Sequence, residues 1–264
     1  MANIVENYLK SFLLKKNKKI CRTTNGFLIK SFISSLKPVT TNHNLIRVGG
    51  DMDGGYLIPD DLHNINTCFS PGVSKVANFE LELASRGIKC FLADYSVETP
   101  PVQNELFDFE KKYLGITEDP IYITLENWVE RKAPNQSDLI LQMDIEGAEY
   151  GVIYDTSRET LRKFRILVIE FHELDAIIVK VGFDLINLTF SKLLKDFEIV
   201  HIHPNNTAKP KKYIGLEIPP TMEFTFLRKD RIFSRQPTQT FPHKLDRPSD
   251  PHNENYPLPR CWYE

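Results

Sequence analysis

The stretch Asp138–Tyr150, DLILQMDIEGAEY, constrains the fold more than any other part of the chain. Its apolar run Leu139-Ile140-Leu141 continues through Met143 and then meets three carboxylates, Asp144, Glu146 and Glu149, grouped around Gly147. An apolar run of this length reads as a buried strand running into a polar turn. Ala148 to Ile153 then start a helix, and a helix's positive dipole end favours acids in its first turn. Glu146 and Glu149 are accounted for equally well as caps of that helix or as site groups. Asp144 differs from them. It gains little as a cap and is costly to bury unpaired, so its position at the carboxyl end of a sheet strand marks the rim of a ligand site.

The rest of the chain supplies the partners such a strand needs. Strand patterns fall at Thr67–Phe69, Gly87–Asp94, Ile121–Leu125, Ile166–His172, Glu198–His203 and Met222–Leu227, six besides the opening stretch. Helical patterns separate most of them, at Asn78–Arg86, Glu105–Tyr113, Thr160–Phe164 and Ile177–Leu194. Strands alternating with helical crossovers predict a doubly wound α/β fold, a mainly parallel seven-stranded sheet with helices on both faces. Upstream, Leu45–Pro59 holds two glycine pairs around Asp51 and Asp53, which reads as a hairpin whose turn can also come close to a ligand. Residues 41–232 form the expected α/β domain.

Two flanking regions differ in character. Residues 1–40 carry eight basic side chains against the single acid Glu6 up to Lys37, and predict two amphipathic helices, at Ile4–Leu14 and Phe27–Leu36. Such a basic end can meet an anionic membrane surface, an anionic glycan or a nucleic acid, or simply be a solvated helix face. In residues 233–264, Pro237, Pro242, Pro248, Pro251, Pro257 and Pro259 exclude a helix or a central strand. That segment is expected to lie extended on the body or on a partner subunit of a homo-oligomer, anchored by Tyr256, Leu258, Trp262 and Tyr263. Four dispersed cysteines without metal-ligand spacing, and no apolar stretch of membrane-spanning length, suit a reduced cytoplasmic setting.

Gly72 follows the first strand, and Asp94 ends the second about 22 residues further on. That spacing is how α/β folds hold a ribose-bearing cofactor, with the carboxylate accepting from ribose hydroxyls. Gly-x-Gly-x-x-Gly does not occur, which counts against a nicotinamide dinucleotide and favours a nucleoside without phosphates, such as S-adenosylmethionine.

QMDIEGAEYGVI resembles the hallmark of the FkbM-like S-adenosylmethionine-dependent methyltransferases, and further segments fall in that family's order. These are RVGGDMDGGYLIP, FSPGVSKVANFELELASRG, KCFLADYS, TLENW at the third strand, LVIEFHEL, HIHPNN, MEFTFLRKD and FPHKLDRPSDP, spanning Leu45 to Pro251. The resemblance implies a class I methyltransferase (Rossmann-like) fold whose last two strands form a reversed hairpin at the sheet edge. It further implies that Ser70, Gly72 and Val73 line the methionine part of the cofactor and that Asp94 holds the ribose. By the same resemblance Glu126 lies near the adenine, Asp144 lies near the sulfonium, and Asp53, Gly54, Gly55 and Tyr56 close over the whole. Pro71 departs from a loop that is often richer in glycine.

An alcohol is a poor nucleophile at neutral pH and needs a base or a metal to take its proton. His172 and His203 end adjacent predicted strands at the rim of Asp144, so His172 is named as base ahead of His203, with Asp144 completing the catalytic set. Asp144, Glu170, His203 and Asn205 are a candidate ligand set for a divalent cation such as Mg²⁺. The expected activity is O-methylation of a hydroxyl; the acceptor class, a sugar of a surface polysaccharide or related glycan, comes from the resemblance. Two alternatives stay open: a NAD-dependent reductase or epimerase, and a non-catalytic glycan- or membrane-binding module. Nucleic acid is not an expected partner, because no basic groove with interleaved aromatics follows the N-terminal run.

Overall fold

A computed structural model describes residues 21–264; the expected helix at Ile4–Leu14 lies outside them. In chain order the elements are α1 (Gly26–Ser35), β1 (Val39–Thr41), β2 (Leu45–Val48), β3 (Tyr56–Pro59), β4 (Thr67–Pro71), α2 (Asn78–Ser85), β5 (Lys89–Ala93), β6 (Phe107–Glu110), β7 (Tyr113–Gly115) and β8 (Tyr122–Thr124). There follow α3 (Leu125–Lys132), β9 (Leu139–Met143), α4 (Glu149–Asp155), α5 (Arg158–Arg162), β10 (Phe164–Phe171), α6 (Lys180–Leu193), β11 (Phe197–Pro204), β12 (Lys211–Tyr213), β13 (Leu216–Ile218), β14 (Met222–Arg228) and β15 (Arg235–Pro237).

Seven strands form the central sheet, in the order β11-β14-β10-β9-β4-β5-β6. The strands from β10 to β6 are mutually parallel, while β14 runs antiparallel between β10 and β11. This is the expected doubly wound class I methyltransferase sheet with its reversed pair at one edge. Strands β4, β9 and β10 are buried at every residue, as both faces being covered requires. On one face Phe171, Phe190, Phe224, Phe226 and Trp262 pack with α1, α4 and α6. On the other, Val48, Tyr56, Ile58, Phe79 and Leu83 bring the β2–β3 hairpin and α2 down onto the sheet.

The third strand corrects the sequence reading. The segment expected to be a helix, Glu105–Tyr113, contributes β6, parallel to β5 at the sheet edge. Phe107-Asp108-Phe109-Glu110 alternates apolar and acidic residues at the strand period, and its acids are taken up by α3: Lys132 Nζ donates to Asp108 and Arg131 to Glu110. The segment expected as the third sheet strand lies outside the sheet, where β8 pairs only with β7. There the Thr124 hydroxyl accepts from Asn127 N at 3.3 Å and starts α3, so TLENW is a helix start and not a strand end.

Both flanks are tied to the body. Asn25 caps α1 by accepting from Phe27 N at 2.8 Å, and Phe32 of that helix meets Phe183 and Phe190 edge-on. Strand β15 pairs with β1, and Trp262 is fully buried with its indole N–H donating to the Glu217 carbonyl at 3.0 Å. Among the described residues no helix is long and apolar enough to cross a membrane.

Candidate active site

The carboxyl ends of β4, β5 and β9 open onto a cavity of about 570 Å³, a size typical of small-molecule sites. Its floor begins where β4 ends. Gly72 has φ +90°, and a Cβ there would stand 1.6 Å from the Asp144 carbonyl oxygen, so only glycine lets β4 and β9 finish side by side. That proximity puts the Gly72 loop and Asp144 on one wall. Asp94, at the end of β5, accepts from Ser74 N at 2.8 Å through Oδ2 and from Ser96 N at 2.7 Å through Oδ1. Its carboxylate is thereby fixed in the cavity lining, with a lone pair on each oxygen still available.

The β2–β3 loop forms a second wall through Asp53, Gly54 and Tyr56. Gly55 does not line the cavity: its missing side chain makes room for the Gly50 carbonyl, which a Cβ would meet at 2.3 Å. Ser70 lies one layer beneath, in a buried relay that sequence reasoning missed. Gln142 Nε2 donates to Tyr56 Oη at 3.3 Å, and Ser70 Oγ lies 2.6 Å from Gln142 Oε1 and hydrogen-bonds Glu80 as well. A hydroxyl has one hydrogen. If Ser70 gives it to Gln142, Glu80 must be protonated and donate to Ser70. Burial acts in that direction, pushing the Glu80 carboxyl up to about 7 against the Ser70 hydrogen bond. Gln142, a polar residue inside an apolar strand, was the signal for this relay.

Where β9 and β10 end, the acids converge. Glu149, fully buried in the first turn of α4, accepts through Oε1 from Ile145 N and Gly147 N, each at 3.1 Å. It therefore does cap the turn, and the same oxygen lies 3.1 Å from His172 Nδ1. The other ring nitrogen, Nε2, stands 3.7 Å from Asp144 Oδ1, 3.6 Å from Glu146 Oε2 and 3.9 Å from Glu170 Oε1. Burial, reinforced by Glu170, pushes the Asp144 carboxyl up to about 8; burial, reinforced by Glu223, does the same for Glu170, also to about 8. Burial alone would lower His172, but the Glu149 hydrogen bond and the surrounding acids raise it to about 9. Burial and mutual repulsion thus push the carboxyls of the cluster toward their protonated forms, while the acids around His172 favour its charged form.

Three expected roles are corrected by this geometry. His203 does not join Asp144; its ring faces Asp246 of the C-terminal tail, with Nδ1 3.6 Å from Oδ2. Asn205 donates its amide to Glu170 Oε1 at 2.7 Å and accepts from Thr207 N at 2.8 Å, so it is spent within the fold. Asp144, Glu170, His203 and Asn205 are therefore not one ligand set. The structure groups Asp144, Glu149 and His172 instead, each offering a ligand atom within 4.8 Å of the others. Glu126 does not line the cavity either: it accepts from Ser157 N at 2.9 Å and joins α3 to the start of α5. The resemblance puts Glu126 after the third sheet strand, and with Tyr122–Thr124 outside the central sheet that position does not reach the cavity. The residues found there in its stead are Tyr113, Leu114 and Tyr122 of the β7–β8 ribbon.

Residues 77–195 match the family model described as the methyltransferase FkbM domain. The matched span runs from the loop before α2 through α6 and contains Asp94, Asp144, Glu149 and His172. No match to the chain was found among the curated proteins.

Proposed function

For a chain that carries an FkbM methyltransferase domain, and so uses S-adenosylmethionine, we propose that the reaction is O-methylation of a hydroxyl, with a sugar of a surface polysaccharide or related glycan as acceptor. The observation that carries the hydroxyl reading is the Glu149–His172–Asp144 array, of which Asp144 lines the cavity while His172 and Glu149 are not part of the lining. The glycan part rests on the family resemblance, cytoplasmic action on the dispersed cysteines, and a place for the basic N-terminal run at the inner membrane face on charge pattern alone.

The cavity lining suits this cofactor. Asp53, Asp94 and Glu146, besides the burial-raised carboxyls of Glu80 and Asp144, outnumber Lys75, the one basic residue of the lining among the described residues, a balance that favours a cationic sulfonium over the pyrophosphate of a dinucleotide. Asp94 would accept from the ribose hydroxyls, Tyr113 and Tyr122 would flank the adenine, and Gly72, Val73 and Asp144 would meet the methionine end. When bound, the cofactor supplies an electrophilic methyl group on sulfur. Glu149 fixes the His172 ring by accepting from Nδ1–H, which directs Nε2 toward Asp144. A cation beside Asp144 favours its carboxylate form, and the Asp144–His172 pair can then take the acceptor's proton. The base is thus the pair and not the histidine by itself.

A second reading adds a divalent cation. Asp144 Oδ1, Glu149 Oε2 and Glu170 Oε2 are buried without a hydrogen-bond partner among the described residues, and a cation on Asp144, Glu149 and His172 would satisfy two of them. One imidazole with two carboxylates suits Mn²⁺ or Zn²⁺ better than the all-oxygen preference of Mg²⁺. Unchanged turnover after thorough chelation would remove this reading.

The test begins with calorimetric titration against S-adenosylmethionine, S-adenosylhomocysteine and NAD, followed by transfer of labelled methyl to a panel of free and nucleotide-linked sugars. Binding of the first two and methyl ether formation on a sugar are expected. Cofactor binding with transfer only to nitrogen or carboxylate acceptors would sink the O-methylation reading.

A further inference from the structure

A second cluster of metal-ligating side chains joins β11 to the C-terminal tail, and nothing in the methyl-transfer reading uses it. His201 and His203 stand two apart on one strand and so share a face; their rings are stacked within 12° of parallel. Asp246 of the tail reaches them, with Oδ1 2.9 Å from His201 Nε2 and Oδ2 3.6 Å from His203 Nδ1. His201 is 3% and His203 7% exposed. The close pair is out of hydrogen-bonding alignment, so His201 Nε2 and Asp246 Oδ1 are both buried without a partner among the described residues, as is His203 Nε2.

One ligand atom from each of the three residues falls within 4.8 Å of the others. Donor atoms on a single tetrahedral ion stand roughly 3 to 3.5 Å apart, given bonds of about 2.0–2.2 Å, so small side-chain rotations would close the set. We propose that His201, His203 and Asp246 hold a zinc-class divalent ion that fastens the tail to β11. Two imidazoles and one carboxylate suit Zn²⁺ and disfavour Mg²⁺ or Ca²⁺, which take all-oxygen sets. The fourth position goes to water or to His243, whose ring lies 6.0 Å from that of His201 and whose Nδ1 accepts from Leu245 N.

The ion would act at a distance on the cavity. Arg247, next to Asp246, donates through Nε to Asp51 Oδ1 at 3.1 Å, in the same β2–β3 loop that supplies Asp53 and Gly54 to the cavity wall. Fixing Asp246 therefore fixes the loop's outer tether. This proposal stands whether or not the acceptor is a sugar.

The test uses full-length protein freed of any affinity tag, stripped by chelation, and titrated with Zn²⁺ by calorimetry, with metal content measured after desalting. Wild type is compared with His201→Gln, Asp246→Asn and His172→Gln, each confirmed folded by circular dichroism. One Zn²⁺ per chain and a raised Tm are expected for His172→Gln, and the same for wild type unless the Asp144–Glu149–His172 set also takes an ion, which would show as a second Zn²⁺ that His172→Gln loses. Binding weaker by at least about tenfold, with the Tm gain lost, is expected for His201→Gln and Asp246→Asn. Should one of these two fail to fold, the other decides. Equal uptake by all four proteins, loss in His172→Gln alone, or no saturable uptake by wild type at micromolar Zn²⁺ would each overturn the site and leave an imidazolium–carboxylate clasp.

Discussion

Replacing Asp94 by alanine removes a loop clip and, on the proposed cofactor reading, the acceptor of the ribose hydroxyls, and each loss can be sized. The carboxylate holds the amides of Ser74 and Ser96; a fully buried orphaned donor costs about 1–3 kcal/mol, and because both bonds are only part-buried Asp94→Ala should lose about 2–4 kcal/mol of stability. For a chain of this size that lowers Tm by roughly 4–16 °C. Two ribose hydroxyls donating to a carboxylate contribute about 1.5–3 kcal/mol each, so the Kd for S-adenosylhomocysteine should rise by about 100-fold or more. Asp94→Asn separates the two effects. Its carbonyl can serve one backbone amide while its NH₂ faces the other, so it should fall between wild type and alanine in both Tm and Kd. The assay is calorimetric titration with S-adenosylhomocysteine well below the variants' melting transitions. If Asp94→Ala shows the expected drop in Tm but keeps affinity within about threefold of wild type, the carboxylate is a loop clip only and the ribose assignment fails.

Three further outcomes follow from the same geometry. His172→Gln should lower kcat by about 100-fold while cofactor affinity stays within about threefold; an affinity loss as large as the rate loss would reassign the residue to binding. Glu80, held at about 7 in the fold against 4.5 unfolded, keeps a proton that the unfolded chain releases. Its contribution is complete below pH 4.5 and is lost as pH rises through 7, about 3 kcal/mol in all, so urea stability should fall between pH 5 and 8 less steeply in Glu80→Gln than in wild type. Equal slopes would show that Glu80 is not the titrating group. Trp262→Ala should cost about 3–5 kcal/mol by thermal or urea unfolding, since the ring is fully buried; a loss under about 1 kcal/mol would mean that the tail is not part of the cooperative unit.

The doubly wound sheet was legible because its central strands are apolar runs with helical patterns between them, and Asp94 and Asp144 were legible because each is an acid ending such a run. Phe107–Glu110 was misread because a four-residue alternation inside a polar stretch gives the strand period little room to declare itself. The resemblance puts Glu126 beside the cofactor on the same mistaken third strand, which left Tyr113 and Tyr122 out. The partner of His203 was not legible at all. Asp246 lies 43 residues downstream in a proline-rich stretch without periodicity, and only the folded tail shows that it returns to β11. Glu149 was read as cap or site group, and it serves as a cap that also holds His172.

The insertion of β14 between β10 and β11 has a bearing on how the chain is made. A ribosome releases β10 and β11 before β14, so the growing protein must carry two strands destined for burial, each with an unpaired edge, until Met222–Arg228 emerges. Pairing β10 directly with β11 in that interval would close the sheet wrongly and exclude Phe224 and Phe226 from the interior. Synthesis past Arg228 is then the point of commitment, and a chain halted just before Met222 should be captured by chaperones or aggregate, although every strand of the parallel portion is already present.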